Sequence, residues 1–139
     1  MTMRILIAED DDDAALYLSR ALSRYGTCDR VVTGREAVSL FRDRAEDGAP
    51  HALLLMDIMM PIMDGQEALK AIRDVEEELG LVHDKRATAF MTTALDDPDN
   101  IWRAHFDGLA TGYFAKPIRV DTLLRRLRDL DIIPPAESA

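Results

Sequence analysis

Short apolar runs recur five times along the chain, each leading toward a stretch with helical spacing, and this alternation constrains the fold more than any other feature. The runs are Arg4-Ile5-Leu6-Ile7-Ala8, Cys28 to Val32, Ala52-Leu53-Leu54-Leu55-Met56, Thr88 to Thr92 and Tyr113-Phe114-Ala115. Continuous apolarity over so few residues marks a strand buried on both faces. Ala14, Leu18, Ala21, Leu22 and Tyr25 share one helical face, with Gly26 as a stop. Ala37, Leu40, Phe41 and Ala45 form the inner face of a second helix, closed by Gly48. Thr33 with Glu36 opens that helix as a capping box, and Asp64 with Glu67 opens the third. The third continues through Leu69, Ile72, Glu76 and Leu79, Glu76 being the imperfect member of its face. Asp97 caps a fourth helix with Pro98 in its first turn, and Leu123, Leu124, Leu127 and Leu130 mark a last one. Strands alternating with helices build a parallel sheet covered on both faces, because each crossover is right-handed. The expected fold is α/β, a doubly wound five-stranded parallel sheet.

At 139 residues the chain is one domain's worth, and a hydrophobic share of 47% suffices for a single core. No apolar run approaches the roughly 20 residues a membrane helix needs. The start, Met1-Thr2-Met3-Arg4, enters a strand at once and has no signal-peptide anatomy. A single cysteine, Cys28, excludes an internal disulfide and fits a reducing compartment, so a cytoplasmic location is expected. The net charge of −9 argues against direct nucleic-acid binding, which needs a clustered basic face. Arg119, Arg125, Arg126 and Arg128 have helical spacing and read as a solvated helix face.

Ligands of such sheets bind beyond the carboxyl ends of the strands. The first strand ends in Glu9-Asp10, the third in Asp57 and the fourth at Thr92-Thr93, while the fifth runs into Lys116-Pro117. Three acids, a hydroxyl and a lysine therefore converge on one edge. Unneutralised carboxylates this close would raise one another's pKa. One Mg²⁺ and the lysine ammonium bring the formal charge of the cluster to zero, and Mg²⁺ favours a few carboxylate oxygens with water and phosphate. The set suits phosphoryl transfer to a carboxylate. Asp57 attacks, the metal and Lys116 hold the equatorial oxygens, and a hydroxyl completes the cradle.

Four stretches also resemble the signature blocks of response-regulator receiver domains, the single-domain chemotaxis regulators included. They are Ile5 to Asp11, Met56 to Gly65, Met91-Thr92-Thr93-Ala94 and Tyr113-Phe114-Ala115-Lys116-Pro117, in the family's order. The resemblance covers about residues 3 to 131, leaving 132 to 139 as a tail or the start of a linker. It implies a flavodoxin-like strand order, 2-1-3-4-5. It also implies a phosphoacceptor of a two-component or phosphorelay pathway, in which Mg²⁺-dependent phosphorylation of Asp57 switches a protein-interaction face. Such a chain is not an enzyme beyond its own phosphoryl uptake and loss. Asp10 is then a direct Mg²⁺ ligand, Glu9 binds mostly through water, and Asp57 and the carbonyl of Met59 complete the protein's share. Lys116 pairs with Asp57 and then with the phosphoryl group. Thr93 moves to the phosphoryl oxygen, Tyr113 is the switch aromatic, and Lys116-Pro117 is expected to be cis. Implied partners are a sensor histidine kinase or histidine phosphotransfer domain and a downstream protein, with a monomer or phosphorylation-linked dimer as the assembly. Two alternatives stay open. Asp11 can replace Asp10, although strand length favours Glu9-Asp10; Thr92 can replace Thr93, the favoured residue, since alternation lets only one point at the site.

Other features have plainer readings. Asp11, Asp12 and Asp13 suit an acidic first turn, and Asp64 is a cap. Met56, Met59, Met60 and Met63 read as adaptable core filling. His51, His83 and His105 lack ligand spacing and are expected at surface or cap positions. Trp102 is equally an exposed partner anchor or core. The stretch from Asp107 to Gly112 is one residue longer than the family's pattern, and Val75 to Arg86 is long and acidic. Met59 and Leu95 stand two residues beyond Asp57 and Thr93, where the family tunes attack by water; both are apolar, which predicts a long-lived acyl phosphate. A haloacid-dehalogenase-type phosphatase is the rival enzyme, but it needs a second Asp where Met59 stands. A pseudo-receiver used only for docking is the rival binding module, and it has no need of the full acidic set.

Overall fold

The computed structural model describes residues 3–94 and 109–136. In chain order the elements are β1 (Met3–Ala8), α1 (Asp12–Leu22), β2 (Gly26–Val31), α2 (Gly34–Glu46), β3 (Leu53–Asp57) and α3 (Gly65–Glu78). A short 3-10 turn (His83–Lys85), β4 (Thr88–Thr93), β5 (Gly112–Ala115) and α4 (Val120–Asp129) follow. The strands pair in parallel in the order β2-β1-β3-β4-β5, the order expected. After β1 the chain steps outward to β2 and then crosses back to β3. The neighbouring ends of β1 and β3 are therefore the switch point at which this kind of sheet opens a crevice.

Side-chain alternation divides the core. Leu6, Ala8, Leu54, Met56, Ala89 and Met91 face α2 and α3. Ile5, Ile7, Leu53, Leu55, Phe90 and Phe114 face α1 and α4. Every residue of β3 is buried, as its unbroken apolar sequence requires of a central strand. Local chemistry begins the helices. Asp11 accepts the N–H groups of Asp13 and Ala14, Thr33 that of Glu36, and Asp64 that of Glu67, each cap being worth about 1 kcal/mol. Glu36 reaches back to the N–H of Val32 and the hydroxyl of Thr33, so its box closes one residue early.

Several expectations are corrected. Gly26 opens β2 rather than ending α1, which stops at Leu22; a side chain there would strike the carbonyl of Met3 on β1. His51 is fully buried, stacked on Phe41, with Nε2 2.8 Å from Asp29 Oδ2. The sequence showed no ligand spacing around it, and only the packing of the folded chain supplied a partner, the half-buried Asp29 of β2. Glu76 is buried too: it accepts from Arg73 (2.7 Å) and from the N–H of Ala87 (2.6 Å), tying α3 to the start of β4. Ile133, placed in the tail, is buried with Phe114 and Leu127, and Ile132 packs beside it, so the core extends past residue 131. Met56 and Met60 fill the core, but Met59 is 61% exposed. The strand ends differ from expectation by one or two residues. The predicted fourth helix with Asp97 and Pro98, together with Leu95, Trp102, His105 and Asp107-Gly108, lies outside the described residues. Among the described residues no helix is long and apolar enough to cross a membrane.

Candidate functional site

The carboxyl edge of the sheet gathers the charged residues that the sequence places at the strand ends. β3 ends in Asp57, and the N–H of Met59 donates to Asp57 Oδ1 at 3.1 Å. The following loop returns to the sheet through Gly65, whose N–H donates to the Ile58 carbonyl at 2.9 Å. A Cβ at Gly65 would collide with the carbonyl oxygen of Asp57, so only glycine lets α3 begin this close to the carboxylate.

Glu9, just past β1, is fixed by its main chain on both sides. Its N–H donates to the Val31 carbonyl at 3.0 Å, and its carbonyl accepts from Arg30 Nε at 2.9 Å. Its carboxylate accepts from the N–H of Asp11 at 3.2 Å. Arg30 also pairs with Asp12 at 2.9 Å. Sequence reading missed this arginine, although a guanidinium inside a short strand opposite an acidic run was a usable signal.

Lys116 completes the cluster from β5. Its N–H donates to the Thr93 carbonyl at 2.7 Å, and the Lys116–Pro117 bond is cis, as expected. Its ammonium donates to Asp57 Oδ2 at 2.8 Å and stands 2.7 Å from Glu9 Oε1. Glu9 and Asp57 are only 3% and 5% exposed, so this one cation is shared by two carboxylates that have left water and offsets part of their charge. Burial pushes the Glu9 carboxyl up, opposed by the hydrogen bonds from Lys116 and Asp11; the charge of Asp57 pushes it further up. For Lys116 burial works downward, but the hydrogen bonds and charges of Asp57 and Glu9 carry it above its ordinary value.

Asp10 is exposed beside this pair, and carboxylate oxygens of Glu9, Asp10 and Asp57 all lie within 4.8 Å of one another. Asp11 is occupied as the cap of α1, which separates it from Asp10. An all-oxygen set with an exposed side suits a hard divalent cation that keeps several waters. Thr92 and Thr93 are both buried. Register makes Thr92 the direct partner of Asp57, whereas Thr93 stands one residue nearer the rim beside Ala115, its hydroxyl donating to the Ala94 carbonyl at 3.2 Å. Tyr113 is 41% exposed on β5.

A family described as "Response regulator receiver domain" matches residues 5–128. The regulatory protein VanRB of Enterococcus faecalis is 33% identical over 94% of this chain and 53% of its own length. The transcriptional regulatory protein TcrA of Mycobacterium tuberculosis is 33% identical over 92% and 46%. The chain thus spans about half the length of these curated relatives. Among solved structures, a complex of the Saccharomyces cerevisiae histidine phosphotransfer signalling protein Ypd1 with the receiver domain of Ssk1 matches with TM-score 0.76 and 24% identity, over 92% of this chain and 88% of the matched one. A CheY-like receiver domain from Methylobacillus flagellatus matches with TM-score 0.73 and 20% identity, over 94% and 99%.

Proposed function

The chain belongs to the response-regulator receiver domain family, and on that premise we propose that Asp57 is its phosphoacceptor, loaded in a Mg²⁺-dependent reaction from a phosphohistidine donor. The observation that carries this reading is the Lys116 ammonium bridging Asp57 and Glu9 across two strands. A cation so placed offsets part of the carboxylate charge at rest and stands ready for a phosphoryl oxygen once Asp57 carries an acyl phosphate. In the reaction a carboxylate oxygen of Asp57 forms the bond to phosphorus as the bond to the donor nitrogen breaks. The Met59 N–H orients the carboxylate, and burial keeps water from competing. Glu9, Asp10 and Asp57, with the Met59 carbonyl, would hold Mg²⁺, which when bound supplies positive charge to the phosphoryl oxygens.

Thr93 serves as the hydroxyl that follows the phosphoryl group, and Tyr113, outward here, as the aromatic that turns in with it. Loading then shifts a population toward a conformer that a downstream protein recognises. The chain's only catalysis acts on itself. A donor of the histidine phosphotransfer or histidine kinase class is supported by the Ypd1 complex among its structural neighbours. The apolar, exposed Met59 cannot align an attacking water, so the acyl phosphate is long-lived; Met59→Asn should speed its loss. Nor can Met59 transfer the proton that a haloacid-dehalogenase-type phosphatase requires at that place.

Incubation with phosphoramidate and Mg²⁺, read by intact-protein mass spectrometry, tests the proposal. The wild type should gain one phosphoryl group, and Asp57→Asn or excess EDTA should abolish the gain. Undiminished uptake by Asp57→Asn would overturn it.

A further inference from the structure

We propose that Arg30 is a positioning residue for the metal site: by fixing the turn that carries Asp10, it makes the site prefer Mg²⁺ to the larger Ca²⁺. The inference rests on the reading of Glu9, Asp10 and Asp57 as Mg²⁺ ligands and adds what sets their selectivity. Asp10 is the ligand with the least support of its own. It is exposed, and among the described residues its carboxylate has no hydrogen bond or ion pair. Its place depends on the main chain to either side.

Arg30 holds that main chain from both directions. Just before Asp10, the Glu9 carbonyl accepts from Arg30 Nε at 2.9 Å. Just beyond it, Asp12 Oδ1 pairs with Arg30 Nη1 at 2.9 Å. One planar guanidinium thus spans the turn from the end of β1 to the first residue of α1, and its rigid fork fixes how far apart the two ends stand. The Glu9 N–H on Val31 and the Asp11 cap each hold one end only. Stability does not account for the arrangement. The Asp12 side chain is 89% exposed, where an ion pair contributes little, and Arg30 Nη2 is buried without a hydrogen bond, which costs free energy. What the guanidinium secures is a fixed turn beside three carboxylates.

Cation size converts that fixity into selectivity. Mg²⁺ demands near-ideal octahedral ligands at about 2.0–2.1 Å, whereas Ca²⁺ accepts irregular sets at about 2.3–2.6 Å. Loosening the turn therefore penalises Mg²⁺ more than Ca²⁺. A change of charge alone acts on two divalent ions alike.

Amide NMR titrations of the full chain with MgCl₂ and with CaCl₂, followed at residues 10, 57 and 59, read the ratio of the two affinities. Arg30→Lys keeps the charge and loses the fork; Arg30→Met keeps an apolar stem and loses both. Each should lower the Mg²⁺-to-Ca²⁺ affinity ratio about tenfold, the low end for groups that orient metal ligands. Asp12→Asn, which leaves Arg30 in place but releases Nη1, should lower it by a smaller factor. The same spectra show whether each variant is folded, and if Arg30→Met is not, the other two decide. A wild type that does not bind Mg²⁺ the more tightly, or a ratio unmoved in Arg30→Lys, would overturn the inference. Phosphoramidate loading of the wild type is measured on the same samples. If it fails while the ratio responds to Arg30, only the phosphoacceptor reading falls; if it succeeds while the ratio ignores Arg30, only the positioning role falls.

Discussion

Lys116 Nζ lies 2.8 Å from Asp57 Oδ2 across 59 residues of sequence, and the same ammonium reaches Glu9. Removing that cation leaves two nearly buried carboxylates facing each other. In Lys116→Met, phosphoramidate loading should slow by about 10²–10³-fold, the loss typical of one positioned electrostatic donor. The apo protein should lose about 1–2 kcal/mol in a urea titration, less than a fully buried pair, because the Lys116 side chain is 31% exposed. Loading at the wild-type rate would remove Lys116 from the site chemistry.

His51 makes stability depend on pH. Burial pushes its imidazole below the ordinary value; the hydrogen bond and charge of Asp29 oppose this, and Arg4 and Arg44 add to it. A base whose folded-state pKa is depressed stabilises the fold above its unfolded value of about 6.5, and that contribution is lost as pH falls toward the folded value. Urea midpoints of the wild type should therefore fall below about pH 6.5, with a His51 contribution of at most about 1.4 kcal/mol per pH unit. His51→Gln should flatten the curve in that window, and parallel curves for the two proteins would refute the assignment.

Glu76 holds both Arg73 and the N–H of Ala87, while Arg73 donates to the carbonyls of Ala87 and Leu109. Truncation in Glu76→Ala strands a largely buried guanidinium and a main-chain donor, a loss of about 3–5 kcal/mol. The measurement is chemical denaturation with an unchanged m-value. A loss below 1 kcal/mol would mean that water replaces the carboxylate at little cost.

Ile62 sits at φ 70° with 76% of its surface exposed, in the loop between Asp57 and α3. A β-branched residue in the left-handed region is strained by about 1–2 kcal/mol, and Asn tolerates that region better. Ile62→Asn should raise the thermal midpoint and add about 0.5–1 kcal/mol. A neutral or destabilising result would show that the exposed isoleucine makes compensating contacts.

The alternation of elements, the caps at Asp64 and Thr33, and Asp57 at the end of the most apolar run were legible because each depends on neighbours within a turn or two of the chain. The burial of His51 and Glu76, the anchoring of Glu9 by Arg30 and the reach of Ile133 into the core were not. Each depends on a partner that local spacing cannot name.

Periodicity in a sequence states which face of an element avoids water, and that alone determined a parallel α/β sheet with acids at its carboxyl edge. Which polar groups then meet is a matter of strand order and register. Tertiary structure brought Glu9, Asp10 and Asp57 within 4.8 Å, assigned Asp11 to a cap, and set Thr92 rather than Thr93 opposite Asp57. Electrostatic energy depends on separation through space, and only the folded chain sets those separations.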